Sequence, residues 1–135
     1  MRWRHGDSRQ FLTAYAHPEV LLDAAWLADH VDDPKVRIVD AHMPTERALY
    51  DGAHIPSSVF IDMLRDLRGP SRIMPPERFA TLMGRLRIGN DTTVVAYDTE
   101  GGSWAARPWW ALRYYGHAAT TMLDGGLRAW ASTRP

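Results

Sequence analysis

Cysteine is absent from this sequence of 135 residues. Without thiols the chain can form no disulfide framework and can offer no thiolate ligand to a metal. The six histidines do not compensate, because no two of them stand four residues apart and none belongs to a compact carboxylate cluster. We therefore expect neither a metal site nor a cofactor.

The sequence also lacks an excess of either charge and any long apolar run. Sixteen basic and 16 acidic residues give a formal net charge of zero, so nothing global favours nucleic acid or an acidic membrane surface. No apolar run approaches the ~20 residues of a membrane span. The polar start Met1–His5 is not followed by an apolar signal region. These absences predict no nucleic-acid or membrane partner and a cytoplasmic location.

What is present is ordinary for one folded domain. Hydrophobic residues make up 45% and charged residues 24% of the chain, and its length suffices for a hydrophobic core. The N-terminal stretch mixes charge, histidine and glycine without periodicity. We interpret residues 1–18 as an N-terminal extension and residues 19–135 as a single domain.

Beyond this extension, strand-like and helix-like segments alternate. The predicted strands are rich in β-branched residues and comprise Val36–Val39, Ser58–Ile61, Thr92–Tyr97 and Ala119–Leu123. The predicted helices are Ala24–Val31, Glu46–Tyr50, Pro76–Leu86, Ser103–Tyr115 (the longest) and Leu127–Trp130. Such alternation predicts an α/β domain with a parallel sheet of about five strands and helices on both faces.

Cap residues support several helix boundaries. Asp23 is placed to cap the first helix, and Gly89 follows the helix that ends at Leu86. Ser103 lies in Gly101–Ala105, between a strand and a helix like the Gly-x-Ser-x-Gly turn of a serine hydrolase. That chemistry needs an acid and then a histidine after the serine, and no histidine follows Asp124. We expect Ser103 to cap the helix rather than to act as a nucleophile.

Four segments, taken together and in order, resemble the N-terminal domain of two-domain rhodaneses, the thiosulfate and mercaptopyruvate sulfurtransferases. They are Val36–Ala41, Tyr50–Pro56, Gly89–Tyr115 and Leu123–Trp130. The resemblance implies a rhodanese-like fold. It also implies structural roles for Asp40, Gly52, His54, Pro56, Asp124, Gly125, Gly126 and Trp130.

The sequence departs from the family pattern at a few positions. Ser57 and Ser58 replace the usual Gly-Ala, and His42 stands where many members carry arginine. The largest departure is Asp98, which occupies the position of the catalytic cysteine. A rhodanese needs a thiolate that attacks sulfur and carries it as a persulfide, and a carboxylate cannot do this.

The resemblance therefore implies a non-catalytic domain. Tandem rhodaneses with an inactive first domain carry the cysteine in a second domain, which this sequence lacks. We expect a catalytic rhodanese domain as partner, in cis if the chain is a fragment or in trans, with an anionic sulfur substrate at the interdomain cleft. The alternative is a stand-alone regulatory or anion-binding domain.

The loop after the predicted strand Thr92–Tyr97 is the candidate anion site. In the family its backbone N–H groups converge, and the following helix adds partial positive charge. Asp98 is interpreted either as a built-in anion that satisfies these amides or as an ordinary turn residue, and Arg107 as a cleft cation or a structural partner. The candidate residues are Asp98, Thr99, Glu100, Gly101, Gly102, Ser103 and Arg107.

Two further regions carry weaker expectations. Leu64 and Arg72 stand where the mercaptopyruvate branch has an acidic residue and a histidine, which favours the thiosulfate branch. The arginines of this loop indicate a solvated surface or, alternatively, an anion-steering patch. Five aromatic residues load one predicted helix and favour core and interdomain packing: Trp104, Trp109, Trp110, Tyr114 and Tyr115.

Overall fold

The structure is a computed structural model that describes residues 18–42, 47–62 and 74–133. Its strands β1 to β5 are Leu21–Leu22, Val36–His42, Val59–Asp62, Thr93–Tyr97 and Thr120–Leu123. They form one parallel sheet in the order β1–β5–β4–β2–β3. This confirms the predicted α/β class and the parallel sheet.

The described part of the chain has five α-helices, of which four connect successive strands and the fifth follows β5. Helices α1 to α5 are Ala24–His30, Arg47–Gly52, Pro76–Leu86, Ala106–Tyr114 and Gly126–Ser132, and a 3₁₀ turn, Pro18–Val20, precedes β1. One hydrophobic cluster packs α3 and α4 against one face of the sheet, and a second packs α1 and α5 against the other. Both faces are thus covered, as the alternating pattern predicts.

The two central strands show why the sheet is buried on both sides. Neighbouring residues of β2 point to opposite faces, so Ile38 joins the cluster with α1 and α5 while Val39 joins the cluster with α3 and α4. In β4, Val95 and Val94 divide in the same way. Because both faces of the sheet are covered by helices, successive residues in the middle of these strands are apolar, and the strands appear in the sequence as continuous hydrophobic runs.

Helix α3 begins and ends at the predicted residues, but a residue other than the predicted one caps its C-terminal end. Proline occupies the first turn, and Phe79, Leu82 and Leu86 are buried along one face. The prediction that Gly89 would follow as the cap is wrong. Arg87 takes the left-handed conformation at φ 60° and closes the helix, at a strain of about 1–2 kcal/mol for a non-glycine residue.

The helix predicted for Ser103–Tyr115 is shorter than expected. Helix α4 covers Ala106–Tyr114, and α3 is the longest helix in the described ranges. The prediction that Ser103 caps it is wrong, because Ala105 precedes the helix and Ser103 lies in the turn before it. The residues before Ala106 belong to the preceding loop instead, because the N–H groups of Trp104 and Ala105 donate to the side chain of Asp98.

Other boundaries moved by a few residues. Strand β2 extends beyond Val39 to His42, because its pairing with β3 continues to the register His42–Asp62. Asp23 precedes α1, but its side chain makes no capping hydrogen bond, so that prediction is wrong in its detail. The two-residue edge strand β1 is too short to show a sequence pattern and was missed.

Several predictions lie outside the described residues. These are the extension before Pro18, the start of the helical turn at Glu46 and the arginine-rich loop with Leu64 and Arg72. The proposed domain boundary stays a prediction.

Candidate functional site

The candidate site lies where the parallel strands end. Ligands of open α/β sheets bind outside the carboxyl ends of the strands. Here the loop 98–105 follows the central strand β4 and leads into α4, while the turn after β5 packs beside it. The two contributing turns meet where the N–H of Leu127 donates to the carbonyl oxygen of Asp98 at 3.2 Å.

The side chain of Asp98 is enclosed by the loop that it begins. Its Oδ1 accepts hydrogen bonds from the N–H groups of Glu100 at 3.0 Å and Gly102 at 2.9 Å. Its Oδ2 accepts from the N–H groups of Trp104 and Ala105, both at 2.8 Å. The residue is 2% exposed. Four N–H dipoles therefore compensate a buried carboxylate, as such a charge requires.

We call these four N–H groups the amide cradle. Its shape depends on glycine, because Gly101 and Gly102 take left-handed conformations at φ 68° and 95°. The bonds to Trp104 and Ala105 also explain the short helix. They hold the backbone before Ala106 around the carboxylate, and Ser103 turns its hydroxyl back to the carbonyl oxygen of Glu100 at 2.7 Å.

The neighbouring turn fits the loop closely. A Cβ added to Gly126, whose φ is 59°, would lie 2.3 Å from the carbonyl oxygen of Asp98. At Gly125, with φ 80°, it would lie 2.7 Å from the Cβ of Ala129. Both glycines are therefore required by backbone conformation and by close approach. Trp130 follows in α5 and is buried in the cluster with α1.

A second polar network, which sequence reasoning missed, lies behind the loop. The Nδ1 of His42 bonds to Oδ1 of Asp40, and its Nε2 lies 3.0 Å from the hydroxyl of Thr99. Asp40 and His42 are 0% and 1% exposed, whereas Thr99 is exposed. The signal in the sequence was the polar pair Asp40 and His42 spaced by two at the end of a buried strand, which places both side chains on one face.

Tyr97 completes this network from the last position of β4. Its hydroxyl donates to Oδ2 of Asp40 at 2.6 Å and accepts from the N–H of Ile55 and the hydroxyl of Ser58, both at 3.1 Å. Burial raises the pKa of Asp40, and the bonds from Tyr97 and His42 oppose that rise. Burial also raises the pKa of the Tyr97 phenol, and the bond to Asp40 adds to it.

The remaining family-motif residues shape the turn after α2. His54 is exposed, stacks on Tyr50 and bonds through Nδ1 to the Tyr50 carbonyl oxygen at 2.7 Å. Tyr50 in turn donates from its hydroxyl to the carbonyl oxygen of Ser58 at 2.9 Å. Ser57 has φ 69°, which accounts for the glycine usual there. Gly52 ends α2 and Pro56 is exposed in the turn.

The other predicted site residues lie around the loop. Thr99 and Glu100 are exposed, and Arg107 is half-buried in the first turn of α4. Burial and the charge of Asp23 raise the pKa of Asp124, at the end of β5. A cavity of about 530 Å³ opens beside the loop, and its lining includes Asp98, Thr99, Gly101, Gly125, Leu127 and Arg128.

The aromatic residues around α4 divide into two groups. Trp104 and Tyr115 pack against the core, while Trp110 and Tyr114 are 43% and 54% exposed. The two exposed rings stack with centroids 5.2 Å apart. We call this pair the aromatic face. Trp109 is half-buried, and its Nε1 has no hydrogen-bond partner.

The described residues show neither a metal-binding cluster nor a membrane-spanning helix. Among residues 18–42, 47–62 and 74–133, no three His, Asp or Glu side chains are grouped so that they could hold a metal ion. Within the same ranges, no helix has both the length and the apolar character to cross a membrane.

Comparison with known proteins identifies the class to which this fold and loop belong. The family model described as a rhodanese-like domain matches residues 23–133. The chain therefore belongs to the rhodanese family, and it is a member without cysteine.

Particular relatives are sulfur-handling proteins. The chain is 42% identical over 118 residues to the sulfur carrier protein TtuD of Thermus thermophilus, covering 86% of this chain and 41% of that protein. It is 40% identical over 130 residues to the putative thiosulfate sulfurtransferase SseA of Mycobacterium tuberculosis, covering 95% and 43%.

A solved structure agrees with this assignment. The 3-mercaptopyruvate sulfurtransferase SseA of Escherichia coli superimposes with a TM-score of 0.73 at 33% identity, over 84% of this chain and 48% of that one. The chain thus spans less than half the length of each of these three relatives.

Proposed function

We propose that the chain is the non-catalytic N-terminal half of a tandem, thiosulfate sulfurtransferase-like protein. In this proposal it supports sulfur transfer by a second rhodanese domain that carries the cysteine. The observation that supports the proposal is that the carboxylate of Asp98, which the family resemblance places at the position of the catalytic thiol, accepts hydrogen bonds from all four N–H groups of the amide cradle.

The chemistry of this arrangement argues against sulfur transfer by the chain itself. A sulfurtransferase of this family needs a thiolate that accepts sulfur and releases it to an acceptor. A carboxylate oxygen forms no persulfide, and the chain has no cysteine elsewhere. The N–H groups of the amide cradle would stabilise such a thiolate, but here they donate to the carboxylate of Asp98.

The same geometry weakens the alternative of a stand-alone anion-binding domain. An external anion would have to compete with a carboxylate that is 2% exposed and held by four hydrogen bonds of 2.8–3.0 Å. Displacing Asp98 would leave a buried charge unpaired, which costs several kcal/mol. The loop is thus better suited to a structural role than to capture of free thiosulfate.

The aromatic face supports a role beside a partner domain. Two stacked rings at 43% and 54% exposure form an apolar surface on α4, the helix that begins at the end of the loop. Large exposed rings of this kind are enriched at protein interfaces. The chain also spans only 41% and 43% of the Thermus and Mycobacterium tuberculosis relatives, which leaves room in those proteins for a second domain of similar size.

The first experiment measures the chain alone. We expect no thiosulfate:cyanide sulfur transfer by the purified chain, even at high protein concentration, because it has no thiol. Mass spectrometry after incubation with thiosulfate should show no added sulfur. Turnover above a boiled control that survives repurification would contradict a non-catalytic domain.

The second experiment tests the supporting role. In the Mycobacterium tuberculosis relative, the segment that this chain covers is replaced by this chain, and the chimera is compared with the uncovered remainder alone. We expect the chimera to be more stable and more active in thiosulfate:cyanide transfer than the remainder. The matched control is the same chimera with Trp110→Ser and Tyr114→Ser, which should lose part of that gain. A chimera no better than the remainder would contradict the proposal.

A further inference from the structure

A line of three side chains connects the buried sheet to the surface of the loop. Asp40 and His42 both belong to β2, and Thr99 is the second residue of the loop after β4. His42 Nδ1 bonds to the Asp40 carboxylate, and His42 Nε2 lies 3.0 Å from Thr99 Oγ1. The imidazole of His42 therefore contacts the Thr99 hydroxyl through Nε2 and the Asp40 carboxylate through Nδ1.

This order of groups activates hydroxyl nucleophiles on unrelated folds. A carboxylate that accepts from Nδ1–H keeps the proton on that nitrogen, so Nε2 of the neutral ring is the acceptor. The hydroxyl of Thr99 then donates to Nε2 and can lose its proton there. Since a nucleophile and its base must lie within about 2.6–3.2 Å, the 3.0 Å separation of His42 and Thr99 satisfies the geometric requirement.

The surroundings keep the carboxylate in place. Asp40 is fully buried, and its other oxygen accepts from the Tyr97 hydroxyl at 2.6 Å. Tyr97 is itself held by the N–H of Ile55 and the hydroxyl of Ser58. This support fixes the imidazole ring, as a general base requires.

The hydroxyl, unlike the base, is accessible. Thr99 is exposed and lines the cavity of about 530 Å³ beside the loop. Leu127 contributes an apolar wall and Arg128 a cation to the same cavity. A small acyl group, with an anionic or polar leaving group towards Arg128, matches this lining.

We propose that Thr99 is a nucleophile that accepts an acyl group from esters or thioesters. His42 is its general base, and Asp40 is a positioning residue. The Thr99 oxygen bonds to the acyl carbon, and its proton passes to His42 Nε2. The bond between the acyl carbon and the leaving oxygen or sulfur breaks, and the leaving group takes the proton from His42. The products are an acylated Thr99 and a free alcohol or thiol, without any change of oxidation state.

Two features of the site set the rate. The four N–H groups of the amide cradle already bind Asp98, so they do not stabilise a developing oxyanion and acylation is slow. His42 is 1% exposed, so water reaches it poorly once Thr99 is acylated. Acylation therefore needs an activated ester, and the acyl group stays on the chain.

The test uses the purified full chain and p-nitrophenyl acetate. We expect a burst of nitrophenol that approaches one equivalent, followed by slow turnover, and one acetyl group on the peptide that contains Thr99. Thr99→Ser should keep the burst, and Thr99→Val should abolish it. His42→Gln should slow acetylation of Thr99 by a factor of about 10²–10⁴, the usual contribution of a general base.

Each outcome decides the proposal. Thr99 is exposed, so Thr99→Ser and Thr99→Val should both fold, and circular dichroism and urea unfolding verify this for all variants. A wild-type chain with no acetyl group at Thr99 would overturn the inference. So would an equal burst in Thr99→Val, or acetylation of Thr99 that is as fast in a folded His42→Gln variant. None of these results bears on sulfur transfer, so the two proposals fail separately.

Discussion

The Asp98 loop and the aromatic face differ in how far their side chains find partners within the chain. In the loop, a buried carboxylate meets four N–H donors from its own segment. On α4, Trp110 and Tyr114 remain 43% and 54% exposed, and within the described ranges their ring neighbours are each other and Tyr115. The difference indicates that the polar groups of the loop are satisfied within the domain, while the rings on α4 stay accessible to an external contact.

The loop is the more sensitive of the two regions, and Gly126→Ala should show the largest effect. Its Cβ would lie 2.3 Å from the Asp98 carbonyl oxygen at a φ of 59°. Relieving that clash must shift α5 or the loop, so we expect a loss of about 3 kcal/mol in the free energy of unfolding. Urea unfolding measures it.

Gly84→Ala is the matched control for that substitution. Gly84 lies inside α3 with nothing within 4 Å of an added Cβ. The change should therefore stabilise the chain by about 0.5–1 kcal/mol through helix propensity. Equal effects of the two substitutions would show that the loop and α5 are not tightly packed.

Asp98→Asn should produce the next largest effect. The amide can accept from two N–H groups through its oxygen, but its NH₂ group would face the other two donors. We expect a loss of about 2 kcal/mol, above the roughly 1 kcal/mol of a single hydrogen bond. Glu100→Gln, at an exposed position, is the control and should change stability by less than about 0.5 kcal/mol. An Asn variant as stable as the parent would mean that the four bonds contribute nothing.

Substitutions in the aromatic face should change association rather than stability. Replacing Trp110 and Tyr114 together by serine should change the free energy of unfolding by less than about 1 kcal/mol, because both rings are exposed. It should nevertheless reduce self-association and binding of a hydrophobic dye. Sedimentation velocity of both proteins provides the measurement. A parent chain that is a clean monomer and binds no dye would contradict an unpartnered interface.

The sequence predicted the architecture better than it predicted the loop. Hydrophobic runs at β2 and β4 and the periodicity of α3 are local signals, so the sheet and that helix could be found. The end of α3 could not, because Arg87 adopts the left-handed conformation where glycine was expected. Strand β1 exists only through its pairing with β5, in which Leu21 pairs with Met122, just over a hundred positions away along the chain.

The site was predictable only in part, for a physical reason. The family resemblance located Asp98, but Trp104 and Ala105 join the amide cradle because Gly101 and Gly102 bend the chain back, which shortens α4. The contact of His42 with Thr99 bridges 57 positions and two strands. No periodicity records such a contact, and His42 appeared only as a departure from the family pattern.

The central claim is that Asp98 occupies a retained amide cradle that once served a thiolate. The most direct measurement is the pH dependence of alkylation of an Asp98→Cys variant, with Ser132→Cys on the exposed end of α5 as control. The amides and the start of α4 should stabilise the thiolate, so the account predicts a pKa for Cys at position 98 below the ordinary value of about 8.5, and a pKa near that value for the control. A cysteine at position 98 that titrates at or above the control would contradict the account, because it would show that the N–H groups do not converge on that position.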